Sequence, residues 1–152
     1  MSQTTVAKNR KAFYQYEILE RIEVGIVLLG TEVKSIREGQ INLKDSYAQF
    51  ERGELWLHQA HISPYHNSAY FNHEPLRPRK LLLHKRELRK WLGKIKEKRF
   101  TLVPIQVYWK GKHLKVELGL ARGKRLYEKK EVIQEREVRR SVDRMLKTKQ
   151  YE

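Results

Sequence analysis

The sequence predicts a mainly β protein: a small antiparallel, OB-like β-barrel with flanking short helices and a basic C-terminal tail that is disordered when unbound. Three observations lead there. Apolar side chains recur with a period of two in separated runs, glycine-bearing turns join neighbouring runs, and the charged residues after Arg122 lose that alternation. Strands and helices do not follow a βαβ rhythm, so a parallel sheet is not expected. At 152 residues the chain suits one domain, divided into a basic arm over 1–12, a barrel over 13–122 and a tail over 123–152.

Residues 2–12 set Lys8, Arg10 and Lys11 among Ser, Thr, Gln and Asn without periodicity, so they are expected to order only on a partner. From Tyr14 the even positions Tyr14, Tyr16, Ile18, Ile22, Val24, Ile26 and Leu28 describe one long strand with a buried face, broken only by Glu20. Gly25 is a candidate bend in it. Between Gly30 and Gly39, Val33 and Ile36 stand three apart, as in a short helix capped by Thr31 whose outward face carries Glu32, Lys34 and Arg37. Residues 46–52 and 54–62 predict a hairpin turning at Arg52-Gly53, where glycine supplies the positive φ of a tight turn.

Three prolines, two asparagines and three aromatics between Pro64 and Lys80 predict a long surface loop, stiff and basic in its second half. From His84 to Lys98, Leu88, Trp91, Leu92 and Ile95 fall on one helical stripe, the clearest helix in the chain. Thr101, Val103, Ile105, Val107 and Trp109, then Leu114, Val116, Leu118 and Leu120, give a second hairpin through Lys110-Gly111-Lys112, bringing the total to about five strands. In the tail only Val138, Val142, Met145 and Leu146 share a stripe, which buries too little to fold alone.

Charge then narrows the function. Lys and Arg number 33 against 18 Asp and Glu, for a formal charge of +15, a balance that calls for a polyanionic partner. A membrane fits poorly. No apolar run approaches the roughly 20 residues of a spanning helix, and Met1 to Lys11 lacks the apolar middle of a secretory signal. A cytoplasmic protein is expected.

Catalytic chemistry finds little support. The chain has no cysteine, which removes thiol catalysis and Cys-ligated metals. Gly119-Leu-Ala-Arg-Gly123-Lys124-Arg125 is like a phosphate-cradling loop, but its glycines are one residue too close and no Ser or Thr follows the lysine. The six histidines lack ligand spacing, and Glu32 and Asp45 have no nucleophile or further carboxylate beside them. No catalytic residue, metal or cofactor is expected, and Glu32 is assigned to binding or orienting.

The basic residues recur in four separated segments, Lys8 to Lys11, Lys34 to Arg37, Arg77 to Arg86 and Lys124 to Lys130, interleaved with Tyr65, Tyr70, Phe71 and Tyr127. Phosphate contacts with stacking platforms between them point to RNA, with DNA the main competitor. A general RNA chaperone or an initiation-factor-like barrel also satisfies these features.

Three motifs taken together, Gly30-Thr-Glu-Val-Lys-Ser-Ile-Arg-Glu-Gly39, Arg79-Lys-Leu-Leu-Leu83 with His84-Lys85, and Gly119-Leu-Ala-Arg-Gly-Lys124 before a charged tail, closely resemble the SsrA-binding protein family, SmpB. The resemblance runs from about Asn9 to Lys130, in order and at family spacing. It implies an OB-like barrel that grips the tRNA-like domain of tmRNA and accompanies it to ribosomes stalled on mRNA without a stop codon, for trans-translation. It also implies a tail that enters the vacant mRNA channel near the decoding centre and meets small-subunit rRNA. Elongation factor Tu would be a partner indirectly, through tmRNA.

Carried onto this sequence, the RNA-facing residues are Asn9, Arg10 and Lys11; Glu32, Lys34, Ser35 and Arg37; Arg77, Arg79 and Lys80; and His84 and Lys85. The ribosome-facing tail residues are Lys124, Arg125, Tyr127, Glu128, Lys129 and Lys130. Here the chain departs from the pattern of many family members, in which a His-Asp-Lys-Arg stretch stands where this tail has Tyr127-Glu128-Lys129-Lys130. Charge signs and an aromatic ring survive while the imidazole does not, so stacking on rRNA by Tyr127 is retained and a titrating group is lost.

Overall fold

A computed structural model describes residues 3–68, 71–98 and 100–123. Within them the alternating runs become nine strands, and three helices join them: β1 (Gln3–Lys8), α1 (Arg10–Gln15), β2 (Tyr16–Ile26), α2 (Gly30–Arg37), β3 (Ile41–Asn42), β4 (Tyr47–Glu51), β5 (Glu54–His58), β6 (His61–Ile62), β7 (Arg79–Leu82), α3 (Lys85–Lys98), β8 (Thr101–Lys110) and β9 (His113–Gly123). The pairings that join them are antiparallel.

Seven strands form one sheet in the order β1-β8-β4-β5-β7-β2-β9, and a further β8–β9 pairing brings its far end back to β8. The ring of β8, β4, β5, β7, β2 and β9 is thereby complete, although β4 meets β8 through the single registered pair Ala48 and Leu102. The fold is mainly antiparallel β with short helices and a partly zipped ring. Strands exceed the expected number because β1, β3, β6 and β7 are short or weakly patterned, and β7 takes Arg79 and Lys80 from the end of the expected loop.

The inside of the ring holds Val24, Leu55, Leu57, Leu81, Leu102, Val107, Val116, Leu118 and Leu120, all nearly inaccessible to solvent, and Trp91 of α3 packs against them at 4% exposure. Each fully buried aliphatic side chain contributes about 1.5–3 kcal/mol through apolar burial. Gly119, read above as the opening of a phosphate-loop-like string, is a packing glycine: a Cβ there would stand 2.8 Å from Ile105 and 3.0 Å from Ile18. Both hairpins turn as expected. Arg52 and Gly53 share positive φ of 51° and 78°, and Gly111 has φ 63° at the first central position of the β8–β9 turn.

The N-terminal segment corrects the sequence reading. Residues 3–8 are not an unstructured arm but strand β1, paired along β8 from Gln3–Lys110 to Lys8–Gln106. Only Val6 and Ala7 touch the core, so the segment lacks the alternation that would have revealed it. Tyr14 lies in α1, so the long strand begins at Tyr16. Residues 61–62 leave the first hairpin and pair as β6 with β3. The tail from 124 onward, with its single apolar stripe, lies outside the described residues.

Candidate nucleic-acid interface

Helix α2 is fixed to the body by a buried charge knot. Glu32 sits in its first turn and accepts the Leu29 backbone N–H at 2.8 Å, so Glu32, and not Thr31, closes the start of the helix. Its Oε1 also accepts Arg77 Nη2 at 2.6 Å, and its Oε2 accepts Arg79 Nε at 2.5 Å. Glu32 and Arg79 are both 0% exposed at the side chain, whereas Arg77 is about one-third exposed at 31%. The remaining donors of Arg79 reach Ala60 O at 2.6 Å and Pro75 O at 3.1 Å.

Burial of the Glu32 carboxyl opposes its ionisation. The hydrogen bonds from Arg77, Leu29 and Arg79 outweigh that cost and hold its pKa below the ordinary carboxylate value. Burial likewise lowers the pKa of the Arg79 guanidinium, against the attraction of Glu32. Two cations against one carboxylate leave the knot one positive charge in excess, carried at the surface by Arg77.

Two further ties complete the docking of α2. Ser35 Oγ donates to Ser63 O at 2.7 Å. His73, nearly buried, bridges Thr31 Oγ1 at 2.9 Å through Nδ1 and Ile62 O at 2.8 Å through Nε2. A carbonyl only accepts, so Nε2 carries the proton and, in the neutral ring, Nδ1 accepts from the Thr31 hydroxyl.

With its inner face held, α2 presents Lys34 and Arg37 outward. Lys34 Nζ lies 5.5 Å from the Tyr65 ring centroid, and the Arg37 guanidinium 5.9 Å from that of Trp109. Lys80 is at the surface in an ion pair with Glu54 at 3.0 Å, an exposed pair worth little and readily exchanged for phosphate. His84 and Lys85 are exposed at the start of α3.

The structure thus divides the sequence-derived candidates. Lys34, Arg37, Arg77 and Lys80 reach solvent close to α2 or along β7, as do His84 and Lys85. Glu32, Ser35 and Arg79, expected to face RNA, are instead buried and spend their polar atoms on the body, because one carboxylate held by two guanidiniums is stable only when all its bonds are made. Asn9 is buried as well: its Nδ2 donates to Pro104 O at 2.9 Å and its N–H to Ile105 O at 2.8 Å, which fastens the start of α1 to β8. Arg10 is exposed and Lys11 pairs with Asp45 at 3.3 Å. Lys124, Arg125, Tyr127, Glu128, Lys129 and Lys130 lie outside the described residues.

Sequence reasoning placed the β8–β9 turn but did not count its cations among the candidate site residues. Its Lys112, His113 and Lys115 border a cleft with Arg37, Trp109 and Leu82, extending the positive surface beyond α2. The signal was present in Lys110-Gly111-Lys112, which read only as turn chemistry. Among the described residues, no group of three or more His, Asp or Glu side chains is placed to hold a metal ion, and no helix is long and apolar enough to cross a membrane.

Comparison with known proteins adds what geometry cannot. A family model described as SmpB protein matches residues 6–148. The chain is 54% identical over 144 residues to an SsrA-binding protein of Carboxydothermus hydrogenoformans, covering 95% of this chain and 97% of that one. It is 52% identical over 149 residues to an SsrA-binding protein of a Sulfurihydrogenibium species, covering 98% of each. A solved structure described as "tmRNA-SmpB: a journey to the center of the bacterial ribosome" superimposes with a TM-score of 0.67 at 50% identity, covering 84% of this chain and 93% of its counterpart.

Proposed function

Because the chain belongs to the SmpB protein family, we propose that it is an RNA-binding protein that holds the tRNA-like domain of tmRNA and delivers it to stalled ribosomes for trans-translation. The observation that carries this reading is the match over residues 6–148, which takes in both the ring and the tail. The geometry supplies a mechanism. The knot of Glu32, Arg77 and Arg79 anchors α2 without using its surface cations, so Lys34 and Arg37 are held ready for phosphate with little ordering left to be done on binding. Arg77, Lys80, His84 and Lys85 extend the positive surface, and each phosphate neutralised releases counterions.

Buried Asn9, Glu32, Ser35 and Arg79 support the interface and do not touch RNA. The tail residues Lys124, Arg125, Tyr127, Lys129 and Lys130 act on small-subunit rRNA in the vacant mRNA channel, with Glu128 among them. Elongation factor Tu joins through tmRNA rather than through a surface of this chain, and the site of action is the cytoplasm, where ribosomes stall. The protein works by positioning and not by catalysis. Capture of the chain from a bacterial lysate, with sequencing of the co-purified RNA, tests the reading. It predicts tmRNA as the most enriched species, whereas enrichment of many RNAs in proportion to abundance would favour a general RNA chaperone.

A further inference from the structure

Between the first turn of α2 and the loop that follows Pro64 lies a crevice of about 570 Å³. Leu29, Thr31 and Lys34 form one side, and Tyr65 and Phe71 the other. Phe71 is the most exposed large apolar residue among those described, at 61%. With Leu29 and Tyr65 it gives the crevice a contiguous apolar lining, the kind of surface that marks a binding site more than a single exposed side chain does.

The crevice is built in advance. Asn72 fixes the loop to itself: its Oδ1 accepts the Tyr65 N–H at 3.0 Å and its Nδ2 donates to Tyr65 O at 2.9 Å. Ser68 Oγ donates to Phe71 O. His73 ties Thr31 to β6, so both walls are held to the same part of the body. The Tyr65 ring is half-buried with Lys34 over it, while Phe71 stays largely exposed.

We propose that this crevice receives one unpaired base of the bound RNA, stacked on Phe71, with the phosphate of that nucleotide held by Lys34. The occupant follows from the walls. A flat ring offers a π-face that every base can use, a cation at the rim suits the attached phosphate, and Asn67 and Ser68 supply polar groups for a base edge. A paired base cannot enter, since its face is already stacked in the helix. The site therefore selects RNA with an extruded nucleotide, a preference that electrostatics alone cannot produce. This inference rests on the RNA-binding reading above, but its test fails separately from it.

The test uses the full chain and three RNAs: the tRNA-like domain, a fully paired RNA stem, and the same stem with one unpaired purine. Wild-type protein is expected to bind the bulged stem more tightly than the paired stem, and Phe71→Ala to lose that preference. Affinity for the tRNA-like domain falls with Phe71→Ala by about 5- to 150-fold, with an unchanged salt slope because no charge is removed. Phe71→Leu, apolar but without a ring, behaves like Phe71→Ala, and Phe71→Tyr restores binding. Because Phe71 is exposed, all three variants keep the wild-type melting temperature. A wild-type chain without preference for the bulged stem, or a Phe71→Ala variant that keeps wild-type binding, overturns the proposal; the latter result would give the crevice to a protein partner. If wild-type protein failed to bind the tRNA-like domain at all, the broader reading would fall instead.

Discussion

Removing one member of the Glu32, Arg77 and Arg79 knot leaves charge behind in a place without water. Glu32→Gln keeps the shape but strands Arg79, whose side chain is fully buried. The expected loss is about 3–5 kcal/mol, or roughly 6–20 °C in melting temperature, read by thermal unfolding. The pH dependence has a definite sign. The folded-state pKa of Glu32 is depressed, so its stabilisation is fully present above the ordinary value of 4.5 and is lost as pH falls through the folded value. Glu23, held low chiefly by the Tyr108 hydroxyl, and Glu20, held low chiefly by Lys94, act in the same direction. Acid unfolding of Glu32→Gln, followed below about pH 4.5, should be shallower than that of wild type because one such proton is no longer taken up on unfolding. At this scale the sequence was misleading. Alternating charge along Gly30–Arg37 reads as a solvated face, and only a partner 45 or 47 residues away turns Glu32 inward.

Elements show which cations are free to act. The outward cations of α2 are Lys34 and Arg37, each resting on an aromatic ring and neither used by the knot. Replacing both with alanine should leave the folding stability within a few tenths of a kcal/mol of wild type. Binding of the tRNA-like domain should weaken, and the slope of log affinity against log salt should drop by about one for each phosphate that is no longer neutralised. A gel-shift series at several salt concentrations measures it; an unchanged slope would place the RNA elsewhere.

The strands were legible where alternation was strict, as in β8 and β9, and so was α3 through its Leu88, Trp91, Leu92 and Ile95 stripe. Strand β1 was not, because it is an edge strand with only Val6 and Ala7 turned to the core. Nor was Asn9, whose place is set by the carbonyls of Pro104 and Ile105 on β8, 95 residues away in the case of Pro104. Long-range pairing of this kind leaves no local periodicity to read.

For the whole molecule, the proposed function assigns RNA binding to the ring with its surface cations and action on the ribosome to the tail. Deleting residues 124–152 should therefore leave the melting temperature nearly unchanged, since the stripe in that segment is too small to stabilise the ring. The truncated chain should still bind tmRNA, weakened by the loss of Lys124, Arg125, Lys129 and Lys130, yet fail in a reconstituted alanyl-transfer assay on stalled ribosomes. Loss of RNA binding together with tagging would mean that the tail belongs to the RNA grip. The central claim is selective recognition of the tRNA-like domain, and the most direct measurement of it is competition between that domain and ordinary tRNA for the full chain at about 150 mM salt, where non-specific electrostatic binding is weakened. Ordinary tRNA, even in large excess, is expected to displace little of the bound domain; equal competition by the two RNAs would show that the chain does not select the tRNA-like domain.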